Sequence, residues 1–259
     1  MNAPLVSVIT ASTGNPMLHK CLQSVKEQTH PNVQHLVYVD GPSRSPAFLD
    51  QLFKSQVLPM DPSTQKPGYR LDLIQLPYAV GTDRWNGHRM YGAGSYLADG
   101  EYVMFLDDDN YIDPDHIESL LATLQNTIVP VSGAAWSYSL RKIVNSEGFL
   151  CNDDCESLGK WPSVLHDQDF FVDVNCFFLP RMMAVQISPL WFRKFREPGQ
   201  PEVDRVLTHT LRQVSHSCSH KYSLNYTVGN TQNSVQKEFF DRGNDEMMRR
   251  YNGQLPWKK

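Results

Sequence analysis

Short apolar runs alternate with amphipathic stretches through the first half of the chain. Residues 5–10 (LVSVIT), 33–39 (VQHLVYV) and 102–106 (YVMFL) are rich in β-branched and aromatic side chains, a composition typical of buried parallel strands. Residues 71–76 predict one more strand between them. Strands that alternate with helices predict an α/β fold, in which helices cover both faces of a mostly parallel sheet.

Apolar residues recur at helical spacing between these strands. Leu18, Leu22 and Val25 fall on one face of a predicted helix over residues 16–29, and Asn15 supplies its N-terminal cap. Further helices are predicted at three places: residues 85–99, 113–124 and 202–214.

The second half of the chain is less regular. Its patterns predict strands at residues 129–135, 170–179 and 222–228. No internal repeat, low-complexity segment or clear linker interrupts it. We therefore expect one domain over residues 1–259, built in two parts that meet near residue 125.

Composition narrows the function mainly by exclusion. The chain has 259 residues, of which 41% are hydrophobic and 20% charged, so it can bury a core and whole-chain disorder is excluded. Its 24 basic and 28 acidic residues give a net charge of −4, without the basic excess that nucleic-acid binding requires. Five scattered cysteines indicate a reducing compartment, and no segment resembles a signal peptide or a membrane span. A soluble, cytoplasmic protein is expected.

Polar side chains follow three of the predicted strands at the point where each strand ends. Thr10 and Ser12 come at the end of the first strand, Asp40 after the second, and residues 107–109 (DDD) after the fourth. Ligands of open parallel sheets bind at the carboxyl ends of the strands. A single aspartate there is equally typical of a turn, so Asp40 alone leaves both interpretations open.

Three consecutive carboxylates are more informative than one. Their mutual repulsion costs free energy unless a cation relieves it, and carboxylate oxygens suit Mg²⁺ or Mn²⁺, which also bind diphosphate oxygens. A solvated acidic turn is the alternative interpretation. The sequence favours a divalent-cation site at residues 107–109.

Three sequence blocks now resemble family 2 glycosyltransferases of the GT-A fold: VSVIT, CLQSVKEQTHPNVQHLVYVDG and GEYVMFLDDDNYIDPDHIESLL. The resemblance spans residues 4–125 well and the remainder loosely. It implies a metal-dependent, inverting enzyme that moves a sugar from a nucleotide-diphosphate sugar, with UDP favoured, to an acceptor hydroxyl in glycan or polysaccharide biosynthesis. Residues 1–125 would bind the donor and residues 126–259 the acceptor.

The resemblance also implies roles for single residues. Asp40 matches the carboxylate that contacts the nucleobase, although the family more often has Asp-Asp-Gly where this chain has Asp-Gly. Asp107 and Asp109 match the Asp-x-Asp pair that holds Mn²⁺ or Mg²⁺, with Asp108 as the spacer. The donor-binding residues that the resemblance implies are Thr10, Ser12, Asp40, Arg89, Asp107 and Asp108.

Inverting transfer requires a general base, because the acceptor hydroxyl must lose its proton as it attacks. The family carries an Asp at the start of a helix in the acceptor half, and Asp204 in PEVDRVLTHTL matches it, with Glu202 as a competitor. Alternatively, both carboxylates only complement the helix dipole. Asp173 is a weaker candidate that we expect to be structural.

Other chemistry stays open at this stage. A zinc site from Cys151, Cys155, His216, Cys218 and His220 is one alternative, and His220 completing the divalent site is another. Among the aromatic residues, the candidates for stacking on an acceptor sugar are Trp136 and Trp161.

Partners and rival functions are also open. The acceptor is a glycan, a lipid-linked glycan or another hydroxyl, and the basic C-terminal end allows at most peripheral contact with a membrane surface. One rival is a non-catalytic binding module on the same fold. A sugar-phosphate nucleotidyltransferase is less favoured, because residues 11–20 lack the Gly-rich basic loop that would hold a triphosphate.

Overall fold

The computed structural model describes residues 3–41, 66–128, 134–155, 171–230 and 234–255. In chain order the strands are β1 (Val6–Ser12), β2 (Val33–Val39), β3 (Tyr69–Gln75), β4 (Tyr102–Phe105), β5 (Tyr111–Ile112), β6 (Ala135–Val144), β7 (Leu150–Asp153), β8 (Phe177–Pro180) and β9 (Ser215–Thr227). The α-helices are α1 (Leu18–Lys26), α2 (His88–Leu97), α3 (His116–Gln125), α4 (Arg181–Ile187), α5 (Val203–Leu211) and α6 (Lys237–Arg250). Two 3₁₀ turns, Val174–Cys176 and Ser188–Trp191, precede β8 and follow α4.

These strands form one mixed sheet in the order β3-β2-β1-β4-β8-β6-β9-β5, with β7 paired to β6. The first four strands of that order are parallel, with Val6 opposite Val33 and Tyr102. Every residue of β2 and all but one of β1 are buried, as a central parallel strand covered by other elements requires. The α/β fold predicted from the apolar runs is confirmed.

The chain reverses its direction across the sheet between β1 and β4. From β1 it proceeds outward to β2 and β3, and it then returns to place β4 on the other side of β1. The carboxyl ends of β1 and β4 therefore flank the switch point, where parallel sheets leave a crevice for ligands.

The second half of the chain completes the sheet with antiparallel pairs. β8 pairs antiparallel with both β4 and β6, and β9 runs parallel to β6 along its whole length. The predicted strands shift accordingly. β9 begins at Ser215, seven residues before the predicted start at 222, and the predicted strand 170–179 is a 3₁₀ turn followed by β8. Of the predicted strand 129–135, residues 129–133 lie outside the described residues.

Helix α2 packs unusually close to the sheet because it carries small residues. A Cβ at Gly94 would lie 2.8 Å from a side-chain carbon of Ile9 on β1 and 3.2 Å from the ring of Tyr38 on β2. This close packing fixes the position of the α2 N-terminus, and with it the loop over residues 80–87. In the part of the chain that the structure describes, no helix is long and apolar enough to cross a membrane.

Candidate active site

A cavity of about 1010 Å³ opens at the carboxyl ends of β1 and β4. Ser12 and Thr13 line it from the end of β1, and residues 107–109, here named the acidic triad, line it from the loop after β4. Tyr226 and Thr227 reach it from the end of β9. The structure thus brings together the ends of three strands, two of which the sequence pattern had singled out.

Each carboxylate of the acidic triad has different partners. Asp107 accepts from the hydroxyl of Tyr91 at 2.5 Å and from the amide of Asn175 at 2.8 Å. Asp108 accepts from the hydroxyl of Ser12 at 2.5 Å, which ties the triad to the end of β1. Asp109 accepts from the side-chain amide of Asn230 at 2.7 Å. All of these donors are neutral, so the negative charge stays uncompensated.

The electrostatics of the triad follow from that arrangement. Burial raises the pKa of Asp108 to about 6, and the charge of Asp107 adds to the effect. Burial together with the charges of its two neighbours raises the pKa of Asp109 to about 7. Carboxylates raised in this way favour a proton or another cation at the site.

Behind the triad lies a second group of charges, here named the arginine cluster: Arg141, Asp154 and Asp173. The guanidinium of Arg141, 3% exposed, pairs with Asp154 at 2.5 Å and also with Asp173. It lies 4.4 Å from the ring centroid of Tyr226, which lines the cavity. The cluster supports the cavity wall without lining it.

Asp40 organises the loop on the opposite side of the cavity. It is 4% exposed, and its carboxylate accepts from the backbone N–H groups of Val80 at 2.6 Å and Gly81 at 2.9 Å. A Cβ at Gly81 would lie 2.8 Å from that carboxylate and 2.4 Å from the backbone oxygen of Asn86, so only glycine fits. Asp40 does not line the cavity.

The same loop carries a basic residue to the cavity. Asp83, Arg84 and Asn86 all have φ between 49° and 66°, a backbone region that side chains other than glycine seldom adopt and that is enriched at functional sites. The side chain of Arg84 donates to the backbone oxygen of Arg196 at 3.1 Å. Arg84 and Arg196 both line the cavity, together with Phe195.

The remaining predicted donor residues lie apart from the cavity. The hydroxyl of Thr10 is fully buried and hydrogen-bonds the ring of His35 at 2.9 Å, so it belongs to the core beside β2. Arg89 stacks on the ring of Trp85, 3.7 Å from its centroid, and does not line the cavity. Ser12 and Arg84 occupy the cavity wall instead.

The two candidate bases lie at the start of α5. Glu202 is the residue before the helix and accepts from the backbone N–H of Arg196 at 3.2 Å. Asp204 is half-buried in the first turn, and burial raises its pKa to about 6, with the neighbouring Arg205 opposing the shift. Neither carboxylate lines the cavity, although Arg196, the contact of Glu202, does.

The zinc alternative finds no support in the described residues, which include all five of its cysteines and histidines. They contain no group of three or more His, Cys, Asp or Glu side chains placed to hold a metal ion. Cys155 packs with Leu140 and Met247, and His216 stacks on Trp136. His220 is exposed and does not reach the cavity, where Thr227 stands at the end of β9.

The acceptor candidates from the sequence fare differently. Trp136 is 1% exposed, and its indole N–H donates to the backbone oxygen of Leu211 at 2.9 Å. Its faces are covered by core residues, so the prediction that it stacks on an acceptor is wrong. Trp161 lies outside the described residues.

The sheet order, its switch point and the acidic cavity together define the GT-A class of glycosyltransferases. The sequence pattern of "Glycosyl transferase family 2" matches residues 7–142, which is more than half of the chain. The chain therefore belongs to glycosyl transferase family 2, and it is a glycosyltransferase. No curated protein matches it in sequence.

Solved structures of S. aureus TarS share this fold. The TarS 1–349 complex with UDP is 14% identical, with a TM-score of 0.59 over 96% of this chain and 71% of that chain. The complex of TarS 1–349 with UDP-GlcNAc is 15% identical, with a TM-score of 0.59 over 91% and 60% of the two chains. A longer TarS structure is 17% identical, with a TM-score of 0.57 over 97% and 44%. At these identities the likeness shows the fold.

Sequence reasoning missed several residues of the site. The side chains of Tyr91, Asn175 and Asn230 each donate to the acidic triad, and Arg84 and Arg196 line the cavity. These residues are distant in sequence from residues 107–109, and single polar residues carry no periodic signal. Only Arg84, beside the predicted start of α2, lay close to a site that the strand-end rule pointed to.

Proposed function

We propose that this chain is a metal-dependent, inverting glycosyltransferase that uses a nucleotide-diphosphate sugar, with UDP as the favoured nucleotide. The observation that carries the proposal is the cavity at the switch point, where the uncompensated acidic triad faces a loop bearing Arg84. UDP and UDP-GlcNAc are the ligands named for the TarS structures of the same fold, which supports UDP as the donor nucleotide.

The proposed donor site uses residues from three strand ends. Ser12 and Asp108, which are hydrogen-bonded to each other, would contact the ribose side of the nucleotide. Asp40 would act on the nucleobase pocket by holding the backbone at Val80 and Gly81. The guanidinium groups of Arg84 and Arg196 line the cavity and would neutralise the diphosphate.

The acidic triad fits a divalent cation by its chemistry. Its oxygens are hard ligands, and the raised pKa values of Asp108 and Asp109 show that the site lacks a compensating positive charge. Fewer than three protein groups are placed to hold an ion by themselves in the described residues, so diphosphate oxygens and water would complete the shell. Asp107 and Asp109 would hold Mn²⁺ or Mg²⁺, which when bound neutralises charge on the leaving diphosphate.

Transfer requires an acceptor hydroxyl oriented opposite the leaving group. Its oxygen would form the new bond to the anomeric carbon, while the bond from that carbon to the diphosphate breaks and its electron pair leaves with the diphosphate. The hydroxyl proton would pass to a carboxylate oxygen of Asp204. A base with a pKa of about 6 is ionised at neutral pH and still accepts a proton readily.

The remaining parts of the proposal concern the setting. We propose one domain, in which residues 126–259 receive the acceptor, a glycan, a lipid-linked glycan or another hydroxyl compound. None of the five cysteines, all within the described residues, forms a disulfide, which agrees with a reducing compartment such as the cytoplasm. Any membrane contact would be peripheral.

A ligand panel tests the donor assignment. UDP-, GDP-, CMP- and dTDP-sugars, each with and without Mn²⁺ or Mg²⁺, are compared by thermal unfolding. A ligand at about 100 times its Kd stabilises the native state by about 2.7 kcal/mol, so the UDP-sugars with metal should give a clear shift. The Asp109→Asn variant should lose it. Full metal-dependent turnover in that variant would refute the metal assignment.

The panel also separates the rival functions. Binding of a nucleotide sugar with no release of diphosphate across many acceptors would favour a non-catalytic binding module. No shift with any nucleotide, with or without metal, would refute the donor-binding proposal.

Asp204 is tested by the pH dependence of turnover. The wild-type kcat/KM should fall about tenfold per pH unit below pH 6, where Asp204 becomes protonated. The Asp204→Asn variant should lose kcat by about 10²- to 10⁴-fold, keep its donor affinity and lose this limb of the profile. The matched control, Glu202→Gln, should retain the limb. If the control loses it and Asp204→Asn keeps it, Glu202 is the base.

A further inference from the structure

We propose that Asn175 is a positioning residue, held by Asp173 and Arg141, that fixes the carboxylate of Asp107 for donor binding. The inference rests on the proposed function and adds residues that the cavity lining does not contain. Asn175 is 2% exposed and sits in the 3₁₀ turn before β8, 68 residues from Asp107 along the chain.

Asn175 contacts Asp107 through both ends of its amide. Its side-chain oxygen accepts from the backbone N–H of Asp107 at 2.6 Å, and its Nδ2 donates to the Oδ2 of Asp107 at 2.8 Å. The hydroxyl of Tyr91 donates to the other oxygen, Oδ1. Main chain and carboxylate of Asp107 are therefore fixed together, because each carboxylate oxygen has its own donor.

Asp173 determines the orientation of that amide. Its Oδ1 accepts from the Nδ2 of Asn175 at 2.8 Å and from the backbone N–H of Asn175 at 2.9 Å. The two protons of Nδ2 are thus shared between two carboxylates, Asp107 and Asp173. A rotated amide would place its oxygen against both carboxylates, which repel it, so one orientation is strongly favoured.

Arg141 makes this arrangement affordable in the interior. Asp173, 8% exposed, would be a costly buried charge without a cation, and the guanidinium of Arg141 pairs with its Oδ2. The chain of contacts therefore runs from Arg141 through Asp173 and Asn175 to Asp107. Asn175 does not line the cavity, so any effect it has on a bound nucleotide passes through Asp107.

The test measures UDP affinity by titration calorimetry at saturating Mn²⁺, which needs no turnover. Asn175→Ala should weaken UDP binding about 10- to 100-fold, the usual effect of losing a residue that orients a ligand-holding side chain. Tyr91→Phe removes the donor to the other oxygen and keeps the aromatic ring. It should weaken binding too, and it serves as the second variant if Asn175→Ala does not fold.

A double-mutant cycle separates positioning from general loss of structure. In the Asp107→Asn background, neither Asn175→Ala nor Tyr91→Phe should weaken UDP binding further, because the group they orient has already changed. The control is Asn244→Ala, which removes hydrogen bonds to the backbone of Asp153 and Cys155 away from the cavity. It should lower the melting temperature and leave the Kd for UDP unchanged.

The outcomes distinguish this inference from the proposed function. If the wild-type chain binds no nucleotide, the proposed function fails and the inference fails with it. If the wild type binds UDP and Asn175→Ala or Tyr91→Phe binds it equally well, only the inference is overturned. Additive losses in the Asp107→Asn background would also overturn it, since they would show an effect that does not pass through Asp107.

Discussion

Two groups of carboxylates lie close together in this protein, and they differ in one respect. The arginine cluster contains its own cation, because Arg141 pairs with Asp154 and Asp173 in the interior. The acidic triad has only neutral donors, and the pKa of Asp109 is raised to about 7 as a result. A carboxylate group that is neutralised internally supports the fold, whereas one left uncompensated beside a cavity is suited to a positively charged ligand.

The largest effect that would test this contrast is the loss of the internal cation. Arg141→Met leaves two buried carboxylates without a partner, so we expect the free energy of unfolding to fall by about 3–5 kcal/mol. Urea denaturation measures it. The control is Arg70→Met, since Arg70 forms exposed ion pairs with Asp72 and Asp99 and its loss should cost at most about 1 kcal/mol. An equally small loss for Arg141→Met would remove the distinction between the two groups.

A smaller effect is expected at the triad, with the opposite sign. In chelator, Asp109 holds its proton up to about pH 7 in the native state but only to about pH 4 when unfolded. The native state therefore binds more protons in this window, and the free energy of unfolding should fall as the pH rises from 4 to 7. For a half-buried carboxylate we expect about 1–3 kcal/mol, measured by denaturation at each pH.

A pair of variants separates the triad from ordinary surface charge. Asp109→Asn should flatten this decline and make the metal-free protein more stable than the wild type above pH 7. Asp115→Asn is the control, because the exposed ion pair of Asp115 with Lys221 lowers its pKa and its loss should slightly reduce stability above pH 4. A wild-type stability that rises between pH 4 and 7 would contradict the assignment of an uncompensated triad.

The first half of the fold could be predicted from sequence because its signals are local. Residues 33–39 form a strand with the predicted bounds, and the apolar stripe of α1 is buried at Leu18, Leu22 and Val25. The side chain of Asn15 caps the turn before that helix by accepting from the backbone N–H of Met17 at 2.9 Å. Buried parallel strands and amphipathic helices each repeat a short pattern, and such patterns are readable without tertiary contacts.

The second half was predicted less well for a physical reason. β9 pairs with β6 over its whole length, and its first residues are only half-buried, so the sequence from Ser215 lacks the apolar pattern of a strand. The turn at Val174–Cys176 depends on Asp173, which accepts from the backbone N–H of Asn175. Pairing partners and a single capping side chain decided these elements, and neither is visible as a period in the sequence.

At the site, the sequence by itself determined which strands end in carboxylates. The end of β4 delivers the acidic triad to the cavity, and Ser12 delivers a hydroxyl to it, because parallel strands bring their carboxyl ends to one edge. Only the tertiary structure decided which side chains surround that charge. Thr10 turned into the core, Arg84 replaced Arg89 on the wall, and Asn175 reached Asp107 across 68 residues. Hydrogen bonds between distant segments set these positions, and no local pattern encodes which distant partner a polar side chain will meet.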